Sequence, residues 1–315
     1  IGSSLVDFYV KCTSILDARN VFNKMPNRNV VSWNALLAGY VDNVLNENIV
    51  CLFHQMQLEG VAPDVITYVN LLKAFQFMKD INMGREVHDK IVICGLEHDM
   101  FVGSSIVSMY TKCGLLSDAW DVFKKLTTRD AVLWTALISG FAEHGGCKEA
   151  LNHIETMKHD NLTPTAHLYA CILKCCSTLK MADKGREIHT EVTKKGFDAD
   201  LYVGTSLVDM YANCRLLDTA KKVFYKLPVR DVVSWNVLIG GYVKHENSED
   251  VLFLFKQMQC DEIYPDAVTF AYILKACGNV GIPEKGKEVH AEIVREGMLA
   301  NDSILANALV DMYAK

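Results

Sequence analysis

Val232–Tyr242 reads VVSWNVLIGGY, and the chain holds two near copies: VVSWNALLAGY at Val30–Tyr40 and AVLWTALISGF at Ala131–Phe141. Their tryptophans, Trp33, Trp134 and Trp235, stand 101 residues apart each time. A spacing held to the residue through two periods marks a repeat array, in which one small unit recurs and buries its apolar face against its neighbours.

Each period divides into three. Residues 30–64 and 65–99 make units of 35, and 100–130 a unit of 31; 131–165, 166–200 and 201–231 repeat those lengths. The third period gives 232–266, then 267–302 with one residue more, then the start of a short unit at 303–315, while 1–29 is most of a short unit. The expectation is one continuous array of ten units, eight of them complete, cut within a unit at both ends and so part of a longer protein.

Each unit reads as two amphipathic helices. Trp33, Leu36, Leu37 and Tyr40 fall on one helical stripe, and Ile49, Leu52, Phe53 and Met56 on a second. The third period repeats both, with Trp235, Leu238, Ile239, Tyr242 and then Val251, Leu254, Phe255, Met258. Gly60, Gly95, Gly196 and Gly297 are placed to end second helices in left-handed caps, and Pro63, Pro164 and Pro265 to block continuation. No pair can bury both stripes alone, so an all-α solenoid follows, with its first helices lining the concave face.

The totals agree with a folded domain. Half of the 315 residues are hydrophobic, yet no apolar run approaches the ~18–20 residues of a membrane span. The net charge of −6 argues against a general nucleic-acid glue. Eleven cysteines follow no framework spacing, and several take apolar repeat positions. They read as reduced, buried small hydrophobes in a thiol-reducing compartment.

With its alternating unit lengths, VVSWN…GY followed by a terminal PD, LVDMYAxC ending in RD (Leu207–Asp231) and ILKAC…GKEVH (Ile273–His290), the whole chain resembles the plant pentatricopeptide repeat proteins of the PLS subclass. The resemblance implies a right-handed α-solenoid superhelix of antiparallel helix pairs that binds single-stranded RNA in a mitochondrion or chloroplast, one base per repeat. It also implies a role as the specificity module of a cytidine-to-uridine editing factor. In its terms, 30–64, 131–165 and 232–266 are P units, 65–99, 166–200 and 267–302 L units, and the remainder S units.

The family reads each base with the fifth and last residues of a unit. Carried over, Ser3 with Asn29 implies adenine, Asn34 with Asp64 uracil, and Ser104 with Asp130 guanine. Thr135 with Thr165 departs from the pattern and leans to a purine. Thr205 with Asp231 implies guanine, Asn236 with Asp266 uracil, and Asn307 a pyrimidine. The implied element is A-U-n-G-R-n-G-U-n-Y. The chemistry suits the residues: an Asn just after the core Trp lies about 100° off the buried stripe, and its carboxamide both donates and accepts. Ser or Thr leaves room for a purine. The alternative is that these Asn and Asp residues only cap helices and fill turns.

The L units carry Val69, Ala170 and Ala271 at the fifth position, paired with Asp99, Asp200 and Asp302. Aliphatic side chains do not discriminate bases, and in the family such units dock multiple organellar RNA editing factor proteins. Packing on base faces falls to the second position: Val31, Ile66, Phe101, Val132, Tyr202, Val233, Val268 and Ile304, with His167 departing from the pattern. Aromatic stacking is worth roughly 1–3 kcal/mol per base, so Phe101 and Tyr202 should contribute most. Lys11, Lys112, Lys244 and Lys315 recur at the thirteenth position as phosphate candidates, with Asp42 and Glu143 in that place elsewhere.

No enzyme site emerges. His189–Glu191 and His290–Glu292 form His-x-Glu triplets, but no Cys-x-x-Cys follows, and His88 holds the same repeat position without the Glu. Gly281–Lys287 resembles a phosphate loop, but Glu288 replaces the Ser or Thr that holds magnesium. No metal, cofactor or small-molecule substrate is expected, and any deaminase domain is expected beyond Lys315. The competing readings are a protein-interaction scaffold and an organellar RNA splicing or stability factor.

Overall fold

The computed structural model describes residues 2–43, 45–300 and 303–314. Among them the chain forms nineteen α-helices and two short 3-10 turns, with no strand. It gathers into two compact parts, residues 1–149 with 153–163, and residues 150–152 with 164–315.

The first part contains α1 (Gly2–Lys11), α2 (Ile15–Asn23), α3 (Val30–Asp42), α4 (Ile49–Leu58), α5 (Val65–Met78), α6 (Ile81–Ile93), α7 (Met100–Lys112), α8 (Leu116–Lys125), α9 (Ala131–Glu143) and most of α10 (Cys147–His159). Within it α1 packs on α3, α3 on α5, α5 on α7 and α7 on α9, so the first helices of successive pairs stack side by side. The second helices α2, α4, α6 and α8 each close on the next first helix as well as on their own.

The second part runs through α11 (Ala166–Leu179), α12 (Ala182–Lys194), α13 (Leu201–Asn213), α14 (Leu217–Lys226), α15 (Val232–Lys244), α16 (Ser248–Cys260), α17 (Ala267–Val280), α18 (Pro283–Arg295) and α19 (Ser303–Ala314). It stacks in the same way, α11 on α13, α13 on α15, α15 on α17 and α17 on α19.

Both stripes read from the sequence are buried. Trp33, Leu36, Leu37 and Tyr40, with Ile49, Leu52, Phe53 and Met56, lie in the first core, and their third-period counterparts in the second. The three repeat tryptophans are fully covered, and each takes the edge of a phenylalanine from the preceding pair: Phe22 on Trp33 at 4.6 Å between centroids, Phe123 on Trp134 at 4.5 Å, Phe224 on Trp235 at 4.6 Å. An arginine lies over each phenylalanine ring, Arg28, Arg129 and Arg230, at 5.0, 5.1 and 5.9 Å from the ring centre. Arg28 also pairs with Glu59, and Arg230 with Asp261 at 3.1 Å, tying one corner to the next. These corners explain why RN or RD precedes each tryptophan helix: the arginine braces the aromatic pair, and the next residue caps the helix.

Helix ends follow from capping. Asn29, Asp64, Asp99, Asp130, Thr165, Asp200, Asp231 and Asp266 each take a backbone N–H of the first turn on the side chain. After the second helices, Gly60, Gly95, Gly196 and Gly297 have φ between 69° and 73°, the left-handed stop their position requires. At the position matching Gly60 the other two tryptophan units carry Asn161 and Glu262, at φ 57° and 58°.

The cysteines correct one expectation. Cys147, Cys175, Cys176 and Cys277 are buried, but Cys12, Cys51, Cys94 and Cys260 are exposed. Cys51 and Cys260 lie in second helices, out of phase with the stripe that fills the core, and Cys94 ends another with its Sγ 3.5 Å from the Tyr68 hydroxyl.

Candidate functional site

The fifth and last residues meet in two units that carry Asn at the fifth position, 30–64 and 232–266. Asn34 follows Trp33 on α3, and its Nδ2 donates to Asp64 Oδ1 at 2.8 Å. Asp64 sits there because it caps α5: the Thr67 backbone N–H donates to the same oxygen at 2.9 Å, and the Thr67 hydroxyl accepts from the Asp64 N–H at 3.1 Å. That hydroxyl lies 2.7 Å from Asn34 Oδ1 and donates to it. Two periods later, Asn236 Nδ2 reaches Asp266 Oδ1 at 2.9 Å and Thr269 Oγ1 reaches Asn236 Oδ1 at 2.6 Å. Burial pushes both carboxyls up, but the Thr67 or Thr269 backbone N–H, then the asparagine amide and the threonine hydroxyl, hold Asp64 and Asp266 below the usual carboxylate range. Asn34 and Asn236 are only 6% and 9% exposed, so little of each amide faces solvent.

The other fifth residues differ. Ser104 and Thr135 donate to carbonyls of their own helices, Met100 and Ala131, at 2.6 Å each. Ser3 and Thr205 are half-buried, and Asn307 is exposed on α19. Asn29, Asp130 and Asp231 cap α3, α9 and α15. Thr165 caps α11. In the L units Val69 and Ala271 are half-buried and Ala170 is buried, while Asp99 and Asp200 cap α7 and α13. Asp302 lies outside the described residues.

The second position is consistently apolar and turned outward. In the first part Val31, Ile66, Phe101 and Val132 are exposed, Phe101 to 72% and Val132 to 75%; in the second, Tyr202, Val233, Val268 and Ile304 are exposed too. His167, the departure from the pattern, is also exposed, and its ring lies nearly parallel to Tyr202, 12° apart with centroids at 6.2 Å.

The thirteenth-position lysines are already engaged. Lys11 pairs with Asp7 at 2.7 Å, Lys112 with Glu143 at 2.9 Å, and Lys244 donates to Asn213 Oδ1 at 2.6 Å. Lys112–Glu143 and Lys244–Asn213 each join thirteenth positions of neighbouring units. Lys315 lies outside the described residues.

The repeated histidines take a packing place. Nδ1 of His189 lies 2.9 Å from the Tyr211 hydroxyl, and that of His290 3.0 Å from Tyr313. Glu191 accepts the Tyr169 hydroxyl at 3.2 Å. Gly281 is the left-handed cap of α17, φ 73°, and Gly286 lies inside α18, where a Cβ would run into Met312. The stretch resembling a phosphate loop is therefore a helix cap followed by a close helix contact. Sequence reasoning missed Thr67 and Thr269; their signal was present in the PD-x-x-T spacing of a capping box.

Comparison with known proteins places this geometry. A PPR repeat family profile matches residues 28–76 and 230–279, a pentatricopeptide repeat domain profile 127–178, and a PPR repeat profile 104–130 and 205–232. The chain belongs to the pentatricopeptide repeat family. Its relatives in Arabidopsis thaliana include pentatricopeptide repeat-containing protein At4g39530, 34% identical over 99% of this chain and 38% of the relative. A second, the chloroplastic protein At1g15510, is 32% identical over all of this chain and 36% of its own length. A third, the mitochondrial protein At3g09040, is 34% identical over 99% of this chain and 30% of its own. The chain thus spans well under half the length of these curated relatives. Among solved structures, pentatricopeptide repeat protein PPR10 in complex with an 18-nt psaJ RNA element has the same fold, with a TM-score of 0.66 at 18% identity over 99% of this chain and 52% of that one. Among the described residues no helix is long and apolar enough to cross a membrane.

Proposed function

We propose that this chain binds single-stranded RNA in a mitochondrion or chloroplast, its units reading successive bases, as the specificity module of a PLS-type cytidine-to-uridine editing factor. The observation that carries the reading is the recurrence, two periods apart, of an amide held by a carboxylate beside an outward apolar side chain: Asn34, Asp64 and Val31, then Asn236, Asp266 and Val233. An amide with a donor and an acceptor to spare matches the edge of a pyrimidine, and a bare apolar side chain one turn earlier matches its face. The family membership, the organelle names of relatives and the RNA bound by PPR10 support the same reading. The aliphatic fifth positions of the L units leave those units to space the strand or to dock editing-factor proteins.

The test is binding of synthetic A-U-n-G-R-n-G-U-n-Y RNA against a scrambled strand of the same composition, by fluorescence anisotropy. Selective binding supports the reading; equal affinity defeats it. Editing separates from splicing or stabilisation in plants lacking the protein, which should lose one C-to-U conversion while intron removal stays intact. A peptide-holding scaffold is the second reading, favoured by one observation: the three described thirteenth-position lysines are engaged by neighbours rather than standing clear for phosphates.

A further inference from the structure

The geometry points to Thr67 and Thr269 as positioning residues that fix which way round each asparagine amide faces, and hence the order of donor and acceptor it offers a base. This rests on the RNA-binding reading above. The Asp64 carboxylate selects Nδ2 as the atom facing it, but one hydrogen bond leaves the amide plane free to swing. The Thr67 hydroxyl adds a second point on Oδ1, and two points fix the plane. The hydroxyl has one proton; Asn34 Oδ1 at 2.7 Å is nearer than Asp64 Oδ1 at 3.0 Å. The repeat shows the same preference, 2.6 Å to Asn236 against 2.9 Å to Asp266. With both bonds made, the amide keeps one N–H and one oxygen lone pair, in a set order.

Capping alone does not call for this threonine. Asp99, Asp130 and Asp200 cap their helices with Val102, Leu133 and Val203 three residues on. Where serine holds the position, Ser32 and Ser234 turn their hydroxyl protons back to the carbonyls of Asn29 and Asp231 at 2.8 Å. At this position, among the described residues, it is the two threonines that reach across to an asparagine. Within the sequence the three residues change together: the tryptophan units have Asn34, Asp64, Thr67 and Asn236, Asp266, Thr269, whereas the third has Thr135, Thr165, Leu168.

The experiment compares the protein with Thr67→Val, Thr269→Val and the double variant, on the synthetic element and on strands with uracil replaced by cytosine at the second or eighth base. Each single variant should lower the uracil preference about tenfold at its own base and leave the other unchanged. Thr67→Ser should restore part of it. General damage to the fold would instead weaken binding at every base, and that result, like full uracil preference in folded valine variants, overturns the positioning role. Asn34→Ala with Asn236→Ala is the companion. If these alter affinity and the valines do not, the threonine role alone fails; if neither alters affinity, the RNA reading fails with it.

Discussion

Nδ1 of His88 lies 2.9 Å from the hydroxyl oxygen of Tyr110, and His189 stands in the same relation to Tyr211. Burial holds both imidazoles below their ordinary pKa and pushes the Tyr110 phenol up to about 12, so the neutral pair is the folded form. The unfolded chain then binds more protons than the folded one once the pH drops below the free histidine value, about 6.5. Stability should be complete above that pH and decline as the pH falls through the lowered folded values. Melts at pH 7.5 and pH 5.5 check it, and His88→Leu with His189→Leu should flatten the dependence.

Asp64 and Asp266 titrate in the other window. Their folded pKa values are depressed, so their contribution is present above the unfolded carboxyl value, about 3.9, and is lost as the pH falls through the folded value. Asp64→Asn should remove part of this acid-side slope in denaturant titrations between pH 5 and pH 2.

Trp33, Trp134 and Trp235 are fully buried, yet their indole N–H groups meet no acceptor among the described residues. Removing the ring leaves a large hole, whereas phenylalanine fills most of it and deletes an unpaired donor. Trp235→Ala should cost about 3–5 kcal/mol, and Trp235→Phe much less, by urea unfolding.

Glu262 adopts the left-handed conformation that Gly60 fills two periods earlier. A non-glycine residue there carries about 1 kcal/mol of strain. Glu262→Gly should therefore raise the melting temperature by a few degrees, and Gly60→Ala should lower it.

Phe101 and Tyr202 expose the largest flat faces among the second positions. Phe101→Ala and Tyr202→Ala should each weaken RNA binding by about 1–3 kcal/mol without moving the melting temperature. Anisotropy and calorimetry on the same samples separate the two effects.

How much was legible in advance varied with sequence distance. The stripes headed by Trp33 and Trp235 were readable because a helix repeats every 3.6 residues, and the terminal Asp because a cap acts three residues away. The engagement of Lys112 was not, because its partner Glu143 lies 31 residues on and only stacking brings it near. The cross-unit bond from Thr67 to Asn34, 33 residues apart, escaped for the same reason. The cysteines were misjudged because composition says that thiols prefer the interior, while helix phase decides which of them get there.

In each part the outward apolar side chains, Val31 and Phe101 in one and Tyr202 and Ile304 in the other, present to water a surface that burial would stabilise. Whatever lies along them lends its own concentration to the folding equilibrium. Such a ligand should raise the melting temperature in step with the logarithm of its concentration, which a thermal-shift titration checks.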